Sequence, residues 1–238
     1  MKTFLRTKIL LILTLVSISG AYAQELSLGT DIVSRYIWRG FDLGGTSPSI
    51  QPNAKFLAGG LTVGFWGAYA VANPNALEEI DFYGSYTFAL NSSGSFSLGF
   101  TDYMNPNSGT KIGNIHNHND EEGPGAHFLE ANVGYYGPES VPLYVLFNIF
   151  FYNLPENPIY FEVGYSTSVN DIGFSAFIGG TPGEETAYYG TENFNIINAG
   201  FKVSKSIVVT DSFSIPIFGS VILNPESETL FYVFGLSL

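Results

Sequence analysis

The 238-residue chain carries 21 acidic residues against nine basic ones and no cysteine. This leaves no basic footprint for nucleic acid and no disulfide framework of an extracellular module. Charged residues make up 13% and aromatics 16%, whereas a soluble domain usually carries about 25% charge to cover its outside; the exterior is therefore expected to meet lipid.

Residues 1–23 read as a cleaved secretory signal peptide. Lys2, Arg6 and Lys8 form a basic start, Ile9 to Ile18 is apolar, and Ala21-Tyr22-Ala23 is a small-x-small site ahead of Gln24. The apolar run is shorter than the roughly 20 residues of a membrane helix. No later run reaches that length, so membrane residence requires a closed barrel. No cysteine follows the site, which closes the lipoprotein route. Removing the three basic residues leaves residues 24–238 with six Lys and Arg and a net charge of −15. These residues read as one domain.

The first expected strand is 25–39. Leu26, Leu28, Thr30, Ile32, Tyr36 and Trp38 fall on one face; Ser27, Gly29, Asp31, Val33, Arg35 and Arg39 fall on the other. A period of two with unlike faces is the mark of such a strand, and Tyr36 and Trp38 are expected at the membrane–water interface. Eleven further runs follow, at about 48–58, 61–72, 78–90, 95–104, 127–137, 142–153, 158–169, 172–181, 193–208, 213–224 and 229–238. Leu61, Val63 and Phe65 alternate with Thr62, Gly64 and Trp66, and Ile80, Phe82, Tyr86 and Phe88 with Glu79, Asp81, Tyr83 and Ser85. The run 142–153 is apolar on both faces, and Pro52 and Pro216 interrupt their strands, for which ends or bulges are the natural places.

Tight turns at 58–60, 91–94, 137–140, 170–171 and 210–212 alternate mostly with longer loops, the longest running from Asn105 to Ala126. Short turns on one rim and long loops on the other, with an even strand count, predict an all-β fold: an antiparallel transmembrane β-barrel of about twelve strands. Both termini then lie on the periplasmic rim, and the final strand, Leu230 to Leu238, closes against the first.

Ser34-x-Tyr36-x-x-Arg39-Gly40, Ser47-Pro48, Gln51, Gly64-Phe65-Trp66 and Glu79-x-Asp81-x-Tyr83-Gly84-x-Tyr86 together resemble the opening of the TorF-like outer-membrane porin family. The resemblance covers about the first third of the chain after Gln24. It implies a barrel in the Gram-negative outer membrane and passage of small solutes.

On the expected polar face lie Arg35, Arg39, Gln51, Lys55, Trp66, Glu79, Asp81, Tyr83, Glu130, Glu162 and Lys202. Facing charges of both signs set a transverse field, as rings of charge do in pores. The functional expectation is a porin for passive diffusion of small polar or charged solutes, needing no cofactor. The alternative is a closed structural or adhesion barrel whose acidic loops meet ligands or cations. A secreted soluble β-barrel or sandwich is the third reading. Expected partners are outer-membrane lipid, small solutes and the barrel-assembly machinery.

His116-Asn117-His118-Asn119-Asp120-Glu121-Glu122 has the residue types of a divalent-cation loop but matches no metal template; a solvated loop explains it as well. Glu184, Glu185, Glu226 and Glu228 read as solvated loop charge. The protein is not expected to be an enzyme. The histidines are confined to 116, 118 and 127, and no nucleophile elbow with a following helix is present.

Overall fold

The structure is a computed structural model that describes residues 24–238; the expected signal peptide lies outside the described residues. Twelve strands form a closed barrel in the order β1-β14-β13-β12-β11-β10-β9-β8-β7-β6-β5-β4. The barrel strands are β1 (Gln24–Val33), β4 (Ser49–Ala58), β5 (Leu61–Ala70), β6 (Glu79–Ala89), β7 (Ser95–Met104), β8 (Phe128–Tyr136), β9 (Leu143–Tyr152), β10 (Ile159–Val169), β11 (Ile172–Thr181), β12 (Asn195–Thr210), β13 (Phe213–Asn224) and β14 (Thr229–Ser237). Two further short strands, β2 (Ile37–Trp38) and β3 (Phe41–Asp42), pair only with each other.

All barrel ladders are antiparallel, and all join successive barrel strands except the closing pair β1 and β14. That seam is short, pairing Asp31 with Ser237, Ile32 with Leu236 and Val33 with Gly235. Thr30 and Leu238 extend it with two backbone hydrogen bonds of 3.0 and 2.9 Å. The Ser34 hydroxyl accepts a 2.9 Å bond from the Phe234 N–H. The tight turns have the expected chemistry. Asn170 and Asp171 both adopt positive φ, +49° and +63°, as a two-residue hairpin turn that follows the strand twist demands.

The apolar face of the barrel strands points outward. Phe65, Phe82 and Phe234 are 38%, 51% and 63% exposed, and Leu98, Phe100, Val145, Phe147, Val163, Tyr165 and Phe201 continue the band. The twofold apolar run β9 resolves in the same way. Val145, Phe147 and Phe151 face out, while Asn148 and Phe150 are buried inside. Pro52 sits within β4 rather than at its end, and its ring faces outward. The β4–β5 ladder passes over it, from Ile50–Tyr69 to Asn53–Trp66. Pro216 pairs with Ser206 of β12, and the β13–β14 ladder begins only at Ile217. It therefore has no β14 residue opposite to miss its N–H.

Inside the wall, glycines sit directly across from aromatic residues of the next strand: Gly64 from Tyr83, Gly164 from Tyr144, Gly200 from Phe177 and Gly235 from Phe218. A Cβ at any of the four would overlap the facing ring, so the missing side chain is what lets the ring lie along the wall.

The first strand is shorter than its alternation suggested. It ends at Val33, and Tyr36 and Trp38 belong to an inward-folded hairpin instead of the lipid face. Tyr36 is buried and Trp38 is half-buried against the interior cluster. The polar break at Ser34-Arg35 ends the strand, and Arg39-Gly40 turns the chain back.

An arginine placed on the outward band tests its orientation. Phe100→Arg is expected to destabilise the barrel in liposomes by about 2–4 kcal/mol, the cost of a cation at the bilayer midplane, read by urea titration of tryptophan fluorescence. Thr62→Arg, on the inward face of β5, should cost much less.

Candidate functional site

The hairpin β2–β3 hangs from the long-loop rim between β1 and β4 and reaches across the barrel. At its tip Arg39 and Gly40 both have positive φ, +48° and +82°, the two-residue turn that matches the twist of its strands. Asn224 of β13 donates a 3.2 Å hydrogen bond to the Gly40 carbonyl. A Cβ on Gly40 would run into the Ile197 carbonyl of β12. The tip is thus seated against the β12–β13 flank of the wall, and only glycine fits there.

This geometry delivers the Arg39 guanidinium to Glu130 on β8. Nη1 and Nη2 donate to the two carboxylate oxygens at 2.6 and 2.8 Å. The two side chains are 10% and 0% exposed. A fork-to-fork pair fixes orientation as well as charge. Glu130 also accepts from Tyr103 at 2.9 Å and from Asn132 at 2.8 Å, and Asn132 in turn donates to Asn148 at 2.9 Å. Arg39 further donates to the Tyr189 hydroxyl at 2.5 Å. Its guanidinium lies 4.5 Å from the ring centres of both Trp38 and Tyr160. Tyr189 comes from the loop 182–194, whose Tyr188 packs edge-on against Phe150. Phe150, Tyr160, Tyr189 and Ile197 form a buried cluster, with Trp38, Phe41, Tyr103, Phe128 and Leu154 packed around it. Two loops thus converge on one cation and narrow the long-loop half of the lumen.

On the near wall Tyr36 donates a 3.0 Å bond to Glu79 and rests on Trp66, ring centres 5.2 Å apart. Asp81 follows two residues along the same inward face of β6. Both carboxylates are buried, and Oδ1 of Asp81 has no hydrogen-bond partner. Beside them a cavity of about 310 Å³ opens toward the long-loop rim, lined by Trp38, Leu77, Glu79, Tyr103, Phe128 and Tyr188 among others.

The remaining expected lumen residues are placed as follows. Gln51 is buried across from Asp31. Arg35 pairs with Asp42 of the hairpin at 3.6 Å and lies over the Phe231 ring, so it braces the hairpin from a loop rather than from a strand. Arg39 likewise stands on the hairpin and not on β1. Tyr83 covers Gly64. Glu162 accepts from Tyr144 at 2.8 Å, from Asn198 at 3.1 Å and from Tyr160. Lys202 lies 4.0 Å from the centre of the Phe218 ring, and Lys55 faces inward opposite Gly64. The structure therefore gathers Arg39, Glu79, Asp81, Trp66 and Glu130 near the mouth, joins Glu162 to that group through Tyr160, and leaves Lys55 and Lys202 nearer the tight-turn rim. A second cavity of about 260 Å³ lies along the wall below, lined by Tyr83, Ser85, Thr101, Asn132, Tyr136 and Asn148 among others.

Sequence reasoning missed Tyr103, Tyr160, Tyr189, Asn132 and Asn198. Asn132 and Tyr160 were discernible, because each sits two residues from an inward glutamate on the same strand. Tyr189 carried no periodic signal. Glu184, expected as solvated charge, has both carboxylate oxygens shielded from solvent beside the Tyr188–Tyr189 turn. In the His116–Glu122 loop, Asp120 accepts from the Asn117 N–H at 2.7 Å, and His118 bonds Asn117. Among the described residues no three His, Asp or Glu side chains converge as metal ligands.

His127, just before β8, latches this long loop. Nδ1 lies 2.8 Å from the Asp102 carboxylate and Nε2 lies 2.8 Å from the Ile112 carbonyl. Both partners are acceptors, so only the doubly protonated ring satisfies both. Burial opposes that charge, but the Asp102 bond, the Ile112 carbonyl and the Asp102 charge outweigh it and raise the pKa.

Two comparisons with known proteins gave a match. A family described as "Bacterial protein of unknown function (Gcw_chp)" matches residues 18–135, a span that contains every motif of the TorF-like resemblance but carries a different family description. A solved structure described as "KdgM porin" superposes with a TM-score of 0.53, covering 90% of this chain and 98% of that one at 9% identity. At this identity the likeness shows the fold alone, a closed antiparallel barrel. No curated protein matches the chain.

Two measurements check this site. Arg39→Ala strands a fully buried Glu130 and is expected to cost about 3–5 kcal/mol, as for a broken buried pair, whereas Arg39→Met with Glu130→Gln should cost less; urea titration reads both. The His127 latch contributes fully below the ordinary imidazole pKa and is lost as pH rises through the elevated one. Amide exchange across 105–126 should therefore speed up with pH beyond its intrinsic dependence, and Asp102→Asn should move that step to lower pH.

Proposed function

We propose that the protein is an outer-membrane channel for small polar or charged solutes, its termini periplasmic and the hairpin 34–48 its constriction. The observation that carries this reading is the closed barrel with an apolar outside and a polar inside. Such a wall satisfies every backbone group internally and has no edge, the condition for strands in a bilayer. The TorF-like motifs and the porin named in the superposed structure point the same way. Outer-membrane lipid and the barrel-assembly machinery are then its partners, and solutes move down their gradient without a cofactor or catalytic step. Lys55 and Lys202 line the path toward the tight-turn rim; Arg39, Glu79, Asp81 and Glu130, with Glu162 behind Tyr160, line the constriction.

A second reading, the closed structural barrel, is favoured by the packing around Arg39. Small barrels are filled by side chains, whereas those of about 16 strands or more hold an aqueous channel. Twelve strands with an inserted hairpin stand between these cases. Planar-bilayer recording separates them. The intact protein is expected to give small, discrete conductance steps. Replacing Tyr36 to Leu43 with a Gly-Ser linker is expected to enlarge them several-fold. No step above background from either protein leaves the closed barrel as the function.

A further inference from the structure

We propose that the cavity between the hairpin and β6–β9 is a binding site for a small organic cation: an ammonium group carried on an apolar body. Three independent features specify that chemistry. The first is the wall. Trp38, Tyr103, Phe128 and Tyr188 supply aromatic surface with Leu77 beside them, around about 310 Å³, the lower end of small-molecule pocket size. Aromatic faces attract cations that have shed part of their water.

The second is the charge at one end. Glu79 lines the cavity, is buried, and receives the Tyr36 hydroxyl on one oxygen. Asp81 is next on the same strand face, equally buried, with Oδ1 unpartnered. Two carboxylates this close can share one proton, and even then the pair keeps one negative charge. Among the described residues no basic side chain forms an ion pair with it. Arg39 is committed to Glu130, and Arg35 to Asp42. His127 is committed to Asp102.

The third is the approach. The long-loop segments 34–48, 71–78, 105–127, 153–158, 182–194 and 225–228 hold eleven acidic residues against three Lys and Arg. The field above the mouth thus concentrates cations and repels anions before any contact is made. An inorganic cation would leave the aromatic wall unused, and a neutral aromatic would leave Glu79 uncompensated; an alkyl- or arylammonium uses both.

As a statement about what is transported, this rests on the channel reading; as a binding site it does not. The test is titration of the folded, detergent-solubilised protein with phenethylammonium, followed by Trp38 fluorescence in a Trp66→Phe background and by calorimetry. Phenylpropane and phenylacetate serve as neutral and anionic counterparts. Saturable binding of the cation alone is expected, weakened at least tenfold by Glu79→Gln, which keeps an oxygen for Tyr36. Asp211→Asn, an exposed carboxylate in the tight turn 210–212 on the opposite rim, should leave it unchanged. Leu77→Trp fills the cavity from an exposed loop position and should abolish binding, which decides the matter if the Glu79 variant does not fold. Absence of saturable binding, equal binding of the neutral counterpart, or indifference to Leu77→Trp overturns the proposal without touching conduction. Binding without any conductance step overturns the channel reading and leaves the site standing.

Discussion

A backbone in hydrocarbon has no water to bond, so every N–H and C=O must find a partner within the protein. Sheet closure is the condition on which everything else in this molecule rests. It sets the outward apolar band, because the wall must be greasy where it meets lipid. It also frees the inner face to carry charge. Eleven of the twelve ladders join successive barrel strands, and only the seam between β1 and β14 joins distant segments. The seam is also the shortest barrel ladder. The Ser34 side chain reinforces it at the point where the chain leaves the wall for the interior. The hairpin that narrows the mouth therefore begins where the barrel itself is sealed.

The interior is organised differently from the wall. Burying a guanidinium and a carboxylate is costly unless geometry and further hydrogen bonds compensate. Around Arg39 both conditions hold, through the two-pronged contact with Glu130, the Tyr103, Asn132 and Tyr189 bonds, and the rings on either side. Such a pair selects one arrangement among many more than it adds stability. It positions the hairpin tip to within a hydrogen-bond length and leaves Glu79 and Asp81 on the other side of the hairpin without a cation.

The wall was legible in the sequence and the interior was only partly so. A strand facing lipid on one side and a lumen on the other leaves a period of two. The last eleven barrel strands accordingly lie within two residues of their expected limits. The hairpin was obscured by the same rule. Tyr36 and Trp38 continue the parity of Leu26, Leu28 and Ile32, so periodicity assigned them to lipid. The contrary signals were local: the polar Ser34-Arg35 pair, Gly40 after Arg39, and the Gly44-Gly45 pair. Glu130 and Glu162 were recognisable as inward charges because each interrupts an apolar strand. Their partners were not, since Arg39 stands 91 residues from Glu130 and Tyr189 lies in a loop without period. Side chains brought together by closure leave no trace at any fixed spacing.

The paired glycines and rings of the inner wall carry a consequence for how such a tube changes its bore over generations. Four aromatic residues are folded down into the spaces that Gly64, Gly164, Gly200 and Gly235 leave empty. One added methyl group at any of those spaces would lift the ring off the wall and swing it toward the axis. Calibre is thus set by atoms that are absent, and a single base change far from the mouth can narrow the tube without touching its charges or its grip on lipid.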